Sequence, residues 1–269
     1  MMRGSLFIAV DVGNSSLGIA CYDLESMTAP LPEPIWQNQF LYGQLDNPGW
    51  WEEIVTRMGV APVDWFIASV NRPRDAWLTE TIKQGRPTDR WHLLRREDLD
   101  IEVEVSEPQA VGIDRLAAAV AVNQLRSEKR PAIVIDSGSA VTIDLVNADG
   151  CFCGGAILPG HRMAASALAR QTDLLPEVKV PPSPPPVLGR STSEAIASGV
   201  YWGTLGAVLE IVRRVRTQHG ADADIFLTGG SIAWRDELPG DVTCHPDLVL
   251  TGIALAAGHL LGQVRRDDG

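Results

Sequence analysis

The sequence predicts an α/β protein made of two related lobes with a cleft between them, and three observations carry that prediction. An apolar strand that runs into Asp-x-Gly and turns at once into a second strand occurs twice, with Asp11 and Asp136 at matching positions half a chain apart. Strand-like and helical segments alternate after each copy. The composition is that of an ordinary globule: of 269 residues, 45% are apolar and 21% charged, enough to bury a sizeable core. A repeat on this scale duplicates a domain rather than a solenoid unit. The expected lobes are residues 1–115 and 116–269, with the last helix packing back on the first lobe.

The elements follow in order. Leu6 to Val10 reads as a buried strand ending at Asp11-Val12-Gly13-Asn14-Ser15-Ser16, and Leu17 to Leu24 and Ile35 to Leu41 follow as strands of a meander. A helix is expected near Trp50 to Met58, a strand over Trp65 to Val70 and a helix near Asp75 to Lys83. Ile101 to Val105 alternates apolar and acidic residues, as a half-exposed strand does, and Arg115 to Leu125 is Ala-rich and helical. The pattern restarts at Ala132: Ile133-Val134-Ile135 runs into Asp136-Ser137-Gly138-Ser139-Ala140, and Val141 to Val146 returns as a strand. Gly154-Gly155-Ala156-Ile157-Leu158-Pro159-Gly160 then leads to a helix from Met163 to Arg170. Val180 to Val187 holds five prolines in eight residues and reads as an extended surface loop. Thr192 to Thr217 looks helical but interrupted at Gly199, Gly203 and Gly206. Ile225-Phe226-Leu227 is a short strand emptying into Thr228-Gly229-Gly230, and Leu248 to Leu261 is an apolar helix.

Charge and cysteine usage exclude whole classes. Acidic residues outnumber basic ones 34 to 23, giving a net charge of -11, which argues against binding nucleic acid, since a phosphate backbone needs Lys and Arg to replace its counterions. A small phosphorylated ligand remains compatible, because backbone N–H groups and a cation can hold it. Four scattered cysteines build neither a disulfide scaffold nor paired zinc knuckles; reduced thiols and a cytoplasmic setting are expected. The opening apolar run is too short for a signal segment, and with no run of 18 apolar residues no membrane partner is expected. The eight tryptophans, six of them between Trp36 and Trp91, read as core and subunit contacts.

The duplicated turn is where chemistry concentrates. Glycine lets a backbone approach a polyphosphate closely, hydroxyls and N–H groups face inward, and a carboxylate can place a hydrated cation. Gly112-Ile113-Asp114-Arg115 opens a helix, where Asp is also a favoured N-cap. As chemistry, that carboxylate can accept a hydroxyl proton and the arginine can grip an anion. Of the five histidines only His161 lies beside a motif.

Taken together, Asp11-Val12-Gly13-Asn14-Ser15, Gly112-Ile113-Asp114-Arg115, Asp136-Ser137-Gly138-Ser139-Ala140-Val141-Thr142, the Gly154 to Gly160 stretch and Thr228-Gly229-Gly230 resemble type III pantothenate kinase, of the acetate and sugar kinase/Hsc70/actin superfamily. The resemblance implies two actin-like, ribonuclease H-like lobes, a homodimer, and ATP-dependent phosphorylation of pantothenate, the first step of coenzyme A synthesis. It implies that Asp11, Val12, Gly13, Asn14, Ser15, Ser16, Leu17, Gly18 and Ser139 hold ATP, which arrives with Mg²⁺. It also implies Asp114 as catalytic base, Gly112, Ile113, Asp114, Arg115 and Thr192 against pantothenate, and Asp136 on a monovalent cation, K⁺ or NH₄⁺. Two positions depart from the family pattern: Val105 stands where a substrate-facing tyrosine is common, and Ser137 and Ser139 replace Phe and Thr, Ser139 keeping the hydroxyl. Two other functions are compatible with the motifs, a kinase for another small hydroxylated acid and a non-catalytic accessory relative. The intact set Asp11, Asp114 and Asp136 favours an enzyme.

Overall fold

Residues 6–27, 31–230 and 232–267 are described by a computed structural model. In chain order the elements are β1 (Leu6–Val12), β2 (Ser16–Asp23), β3 (Trp36–Leu41), α1 (Gly49–Met58), β4 (Asp64–Ser69), α2 (Arg72–Gly85), β5 (Arg90–Leu93) and α3 (Ile113–Leu125). The second half continues with β6 (Ala132–Ser137), β7 (Ala140–Val146), β8 (Phe152–Pro159), α4 (His161–Gln171), α5 (Thr192–His219), β9 (Asp224–Gly229), β10 (Val242–Cys244) and α6 (Leu248–Asp267).

The two halves form separate five-stranded sheets, ordered β3-β2-β1-β4-β5 and β8-β7-β6-β9-β10. In each, three antiparallel strands come first and two strands parallel to the first follow. This is the actin-like, ribonuclease H-like topology, written twice. The central strands β1, β4, β6 and β9 are nearly continuous apolar runs, and in the first sheet α1 and α2 cover one face and α6 the other. Ile8, Val10 and Val12 point to the α1–α2 side, where they join Trp50, Ile54, Met58, Leu78 and Ile82. Phe7 alternates to the other side and stacks on Tyr22, ring centroids 5.6 Å apart. In the second sheet Ile133, Ile135, Val141 and Ile143 pack on Tyr201, Leu205, Val208 and Val212 of α5.

One compact unit contains residues 1–101, 107–125 and 248–269, and the other 102–106 and 126–247. Helix α3 therefore lies whole within the first unit, so the division falls after Leu125 rather than at 115. The C-terminal α6 is part of the same unit. It approaches α3 so closely that a Cβ on Gly252 would overlap the backbone carbonyl of Ala117.

Several elements differ from expectation. Helix α5 is continuous, because its inner face is a row of large core residues while Gly199, Gly203 and Gly206 lie on its exposed face with nothing against them. It is also long and apolar enough to cross a membrane by length and composition, although its polar residues interrupt any unbroken apolar run; here its apolar face packs on the second sheet. Ile101 to Val105 makes only a single bridge, Val103 to Phe152. The proline-rich loop has no regular structure but is tied to α5: Trp202 Nε1 donates to Pro185 O (3.1 Å) and Ser198 Oγ to Val187 O (2.6 Å).

Candidate active site

Both Asp-x-Gly turns join the first two strands of their sheets, and each is held by one backbone bond. Gly13 N–H donates to Ser16 O at 3.1 Å, and Gly138 N–H donates to Ala140 O at 2.9 Å. The registers show that the second turn is the tighter. Val12 pairs with Leu17 across Gly13, Asn14, Ser15 and Ser16, whereas Ser137 pairs with Val141 across only Gly138, Ser139 and Ala140.

In the first unit Asp11 pairs with Gly18 on β2 and stands on the face covered by α6, where Leu250 approaches Gly18. Asn14 is exposed at the tip; Ser15 and Ser16 are half-buried. Three residues that the motif does not announce brace this turn. Tyr42, just past β3, donates its N–H to Ser15 O (3.3 Å) and its hydroxyl to Gly13 O (2.6 Å). The Arg74 guanidinium sits 4.2 Å from the centre of the Tyr42 ring, and Val70 N–H donates to Val12 O at 3.1 Å.

Asp114 is the second residue of α3, in its first turn, so Gly112 and not Asp114 occupies the capping end. Its Oδ1 accepts from the Arg115 N–H at 2.8 Å. Burial raises its pKa above the ordinary carboxylate value, outweighing that bond and the Arg115 charge. A carboxylate made more basic in this way is suited to accept a proton. Gly112 is what leaves it room, since a Cβ there would stand 2.5 Å from Asp114 Oδ1.

In the second unit Asp136, one residue before the end of β6, pairs with Thr228 of β9, and Ser137 pairs with Gly229. Gly229 has φ +81°, and a Cβ on it would stand 2.5 Å from Asp136 Oδ1 and 2.6 Å from Ser137 O. A carboxylate and a carbonyl oxygen thus converge beside Gly229 where only glycine fits, and the Ser137 carbonyl also accepts from the Gly230 N–H at 2.8 Å. Among the described residues no group of three or more His, Cys, Asp or Glu side chains could hold a metal ion. Gly160 backs the turn, its N–H donating to Ser139 O at 3.1 Å. His161 opens α4 and is half-buried against the core: its ring lies 5.5 Å from that of Tyr201 and 5.4 Å from that of Trp234, and burial lowers its pKa. Thr192 is the first residue of α5 and shares an open groove of about 900 Å³ with Leu158, Pro159, Ala164 and Leu168. Val105 Cγ1 would lie 3.4 Å from a Cβ on Gly154.

The structure thus groups Asp11 to Gly18 and Gly112 to Arg115 in the first unit, and Asp136, Ser139 and Thr192 in the second.

A family model described as type III pantothenate kinase matches residues 7–214. A protein of that description from Dehalococcoides mccartyi is 30% identical over 92% of this chain and 95% of its own length. Another from Paramagnetospirillum magneticum is 41% identical over 49% of this chain and 50% of its own length. Among solved structures, a Campylobacter jejuni protein described as a candidate Baf family transcriptional activator aligns over 95% of this chain and 100% of its own. Its TM-score is 0.55 at 17% identity, a likeness of fold.

Proposed function

The chain belongs to the type III pantothenate kinase family, and from that premise we propose how its residues carry the ATP-dependent phosphorylation of pantothenate to 4'-phosphopantothenate, the first step of coenzyme A biosynthesis. The observation that carries the mechanism is Asp114: a desolvated carboxylate in the first turn of α3, with raised basicity and a glycine beside it that leaves it room.

In this reading Asp11 to Gly18 and Ser139 hold the ATP phosphates, with backbone N–H groups of the two turns as donors. ATP enters with a divalent ion, which shields its charge. Gly112, Ile113 and Arg115 orient pantothenate, Arg115 gripping its carboxylate, and Thr192 adds a hydroxyl contact. Asp114 takes the proton of the acceptor hydroxyl as that oxygen bonds to the γ-phosphorus. The bond between γ-phosphorus and its bridging oxygen breaks, and ADP leaves with the electron pair. Most of the acceleration comes from position and charge, since phosphoryl transfer asks little covalent chemistry of the protein.

Asp136 is proposed to hold a monovalent cation, K⁺ or NH₄⁺. The hard oxygens of Asp136 and Ser137, converging beside Gly229, suit an alkali-type ion, which when bound would add positive charge near the transferred phosphate. A homodimer is proposed as well. Its support is the apolar groove of α4 and α5, the bare glycine face of α5, and exposed Ile157, Met163 and Leu168; sedimentation velocity tests it. Four free cysteines agree with a cytoplasmic setting.

A coupled assay of ADP release, with and without pantothenate, tests the reading. Turnover that depends on pantothenate supports it. ADP release driven instead by another small hydroxylated acid selects that kinase, the acceptor that Val105 leaves open, and no turnover with any acceptor selects the accessory role.

A further inference from the structure

We propose that Tyr42 is a positioning residue for ATP: its hydroxyl fixes the Gly13–Asn14 peptide so that the Asn14 N–H faces the polyphosphate. The proposal rests on the reading of the Gly13–Ser16 turn as phosphate-binding.

The pairing of Ser16 with Leu41 brings the end of β3 beside the turn, so the next residue, Tyr42, lies against it. Its N–H donates to Ser15 O at 3.3 Å and its hydroxyl to Gly13 O at 2.6 Å, a grip at two points of one four-residue turn. The Tyr42 ring packs with the cluster of Val10 and Val12 on the α1–α2 side of the sheet. Asp11 alternates to the opposite side, toward Gly18 and Leu250 of α6.

The orientation of the peptide follows from covalent geometry. The chain contains no cis peptide bond among its described residues, and in a trans unit the C=O and the N–H point in opposite directions. A Gly13 carbonyl drawn toward Tyr42 therefore sends the Asn14 N–H away from the α1–α2 side, to the side where Asp11 stands. Glycine at 13 imposes no orientation of its own, because without a Cβ it tolerates either setting of the following peptide. The tyrosine hydroxyl supplies the missing constraint.

Arg74 holds the tyrosine in turn. Helix α2 starts directly after β4, with Asn71 Oδ1 capping the Arg74 N–H at 3.3 Å, and the Arg74 guanidinium stacks on the Tyr42 ring. Burial pushes the phenol up to about 12 despite that cation, with Asp11 adding to the rise. The hydroxyl therefore keeps its proton and remains a donor at every working pH.

The test is Tyr42→Phe, which keeps the ring and its packing and removes one oxygen. KM for ATP is expected to rise about tenfold, the worth of one well-placed hydrogen bond. KM for pantothenate and the melting temperature should stay near the parent values. The second readout is the amide signal of Asn14 in ¹⁵N-labelled protein titrated with a non-hydrolysable ATP analogue. A downfield shift in the parent that shrinks in the variant supports the proposal. Equal shifts together with equal KM for ATP overturn it. An Asn14 amide in the parent that ignores the nucleotide removes the phosphate-turn reading itself, a different failure. Should Tyr42→Phe unfold, Arg74→Leu takes its place; a roughly threefold rise in KM for ATP supports the proposal and an unchanged value overturns it.

Discussion

At the scale of the residue, Asp114 separates activity from stability. Its folded pKa is raised, so the native state holds its proton more tightly than the unfolded chain does. Stability contributed by this group is thus present at low pH and lost as pH rises from the ordinary value of 3.8 through the raised one. Ionising this carboxylate therefore weighs against the fold. Asp114→Asn should lower kcat by about 10²–10⁴, the usual worth of a general base. Its melting temperature at pH 7 should equal or exceed the parent's, and scanning calorimetry beside the coupled assay checks both. In the parent, kcat/KM for pantothenate should fall on acidification at a pH above the normal aspartate range. Gly112→Ala probes the same carboxylate without removing it. The new methyl clashes only with the end of the Asp114 side chain, which can swing aside, and touches Val70 at ordinary distance, so activity should drop at least tenfold while the fold persists. Gly229→Ala is the opposite case. Its φ of +81° and the rigid Ser137 carbonyl leave the methyl nowhere to go, and a loss of about 2–4 kcal/mol is expected in urea unfolding.

At the scale of the element, the α3–α6 contact controls where Asp114 sits. A methyl at Gly252 must displace either the Ala117 backbone or the whole of α6, since neither is the tip of a flexible side chain. Gly252→Ala should cost about 1–3 kcal/mol by overpacking and reduce kcat as α3 shifts, both measurable on one preparation. The strands were legible in the sequence to uneven degrees, for physical reasons. β1, β2, β6 and β7 declared themselves because each is apolar and bounded by a motif turn. β5, with Arg90 and His92 among its four exposed residues, and β10, only three residues long, carry no periodic signal; pairing with β4 and β9 makes them strands. The glycines of α5 suggested breaks because each costs about 1 kcal/mol relative to alanine, yet Ile196, Val200, Tyr201, Leu205 and Val208 on the other face outweigh them. The site divides likewise. Asp11, Asp114 and Asp136 stand in recognisable local motifs, whereas Tyr42 meets Gly13 across 29 residues of chain, through sheet pairing that no local pattern encodes.

At the scale of the whole molecule, the same topology serves twice, and only the first copy borrows its covering helix from the far end of the chain. Removal of residues 248–269 should therefore unfold the first unit preferentially. Hydrogen exchange should rise over β1, β2 and β4, which α6 touches, before it rises over β6 and β9. Equal loss in both sheets would count against that division. The borrowed helix also sets a schedule. On the ribosome, roughly 120 residues must be added between Leu125 and Leu248, on the order of ten seconds of synthesis. Throughout that interval one apolar side of the nascent first sheet, with Phe7 and Tyr22 on it, lacks its partner, because α6 is the last of the described elements to be made. A chain stalled before Leu248 would present that sticky side to chaperones and to its neighbours, so pausing and holding factors acting while residues 126–247 are made would govern the yield of active enzyme more than pausing within the first sheet itself.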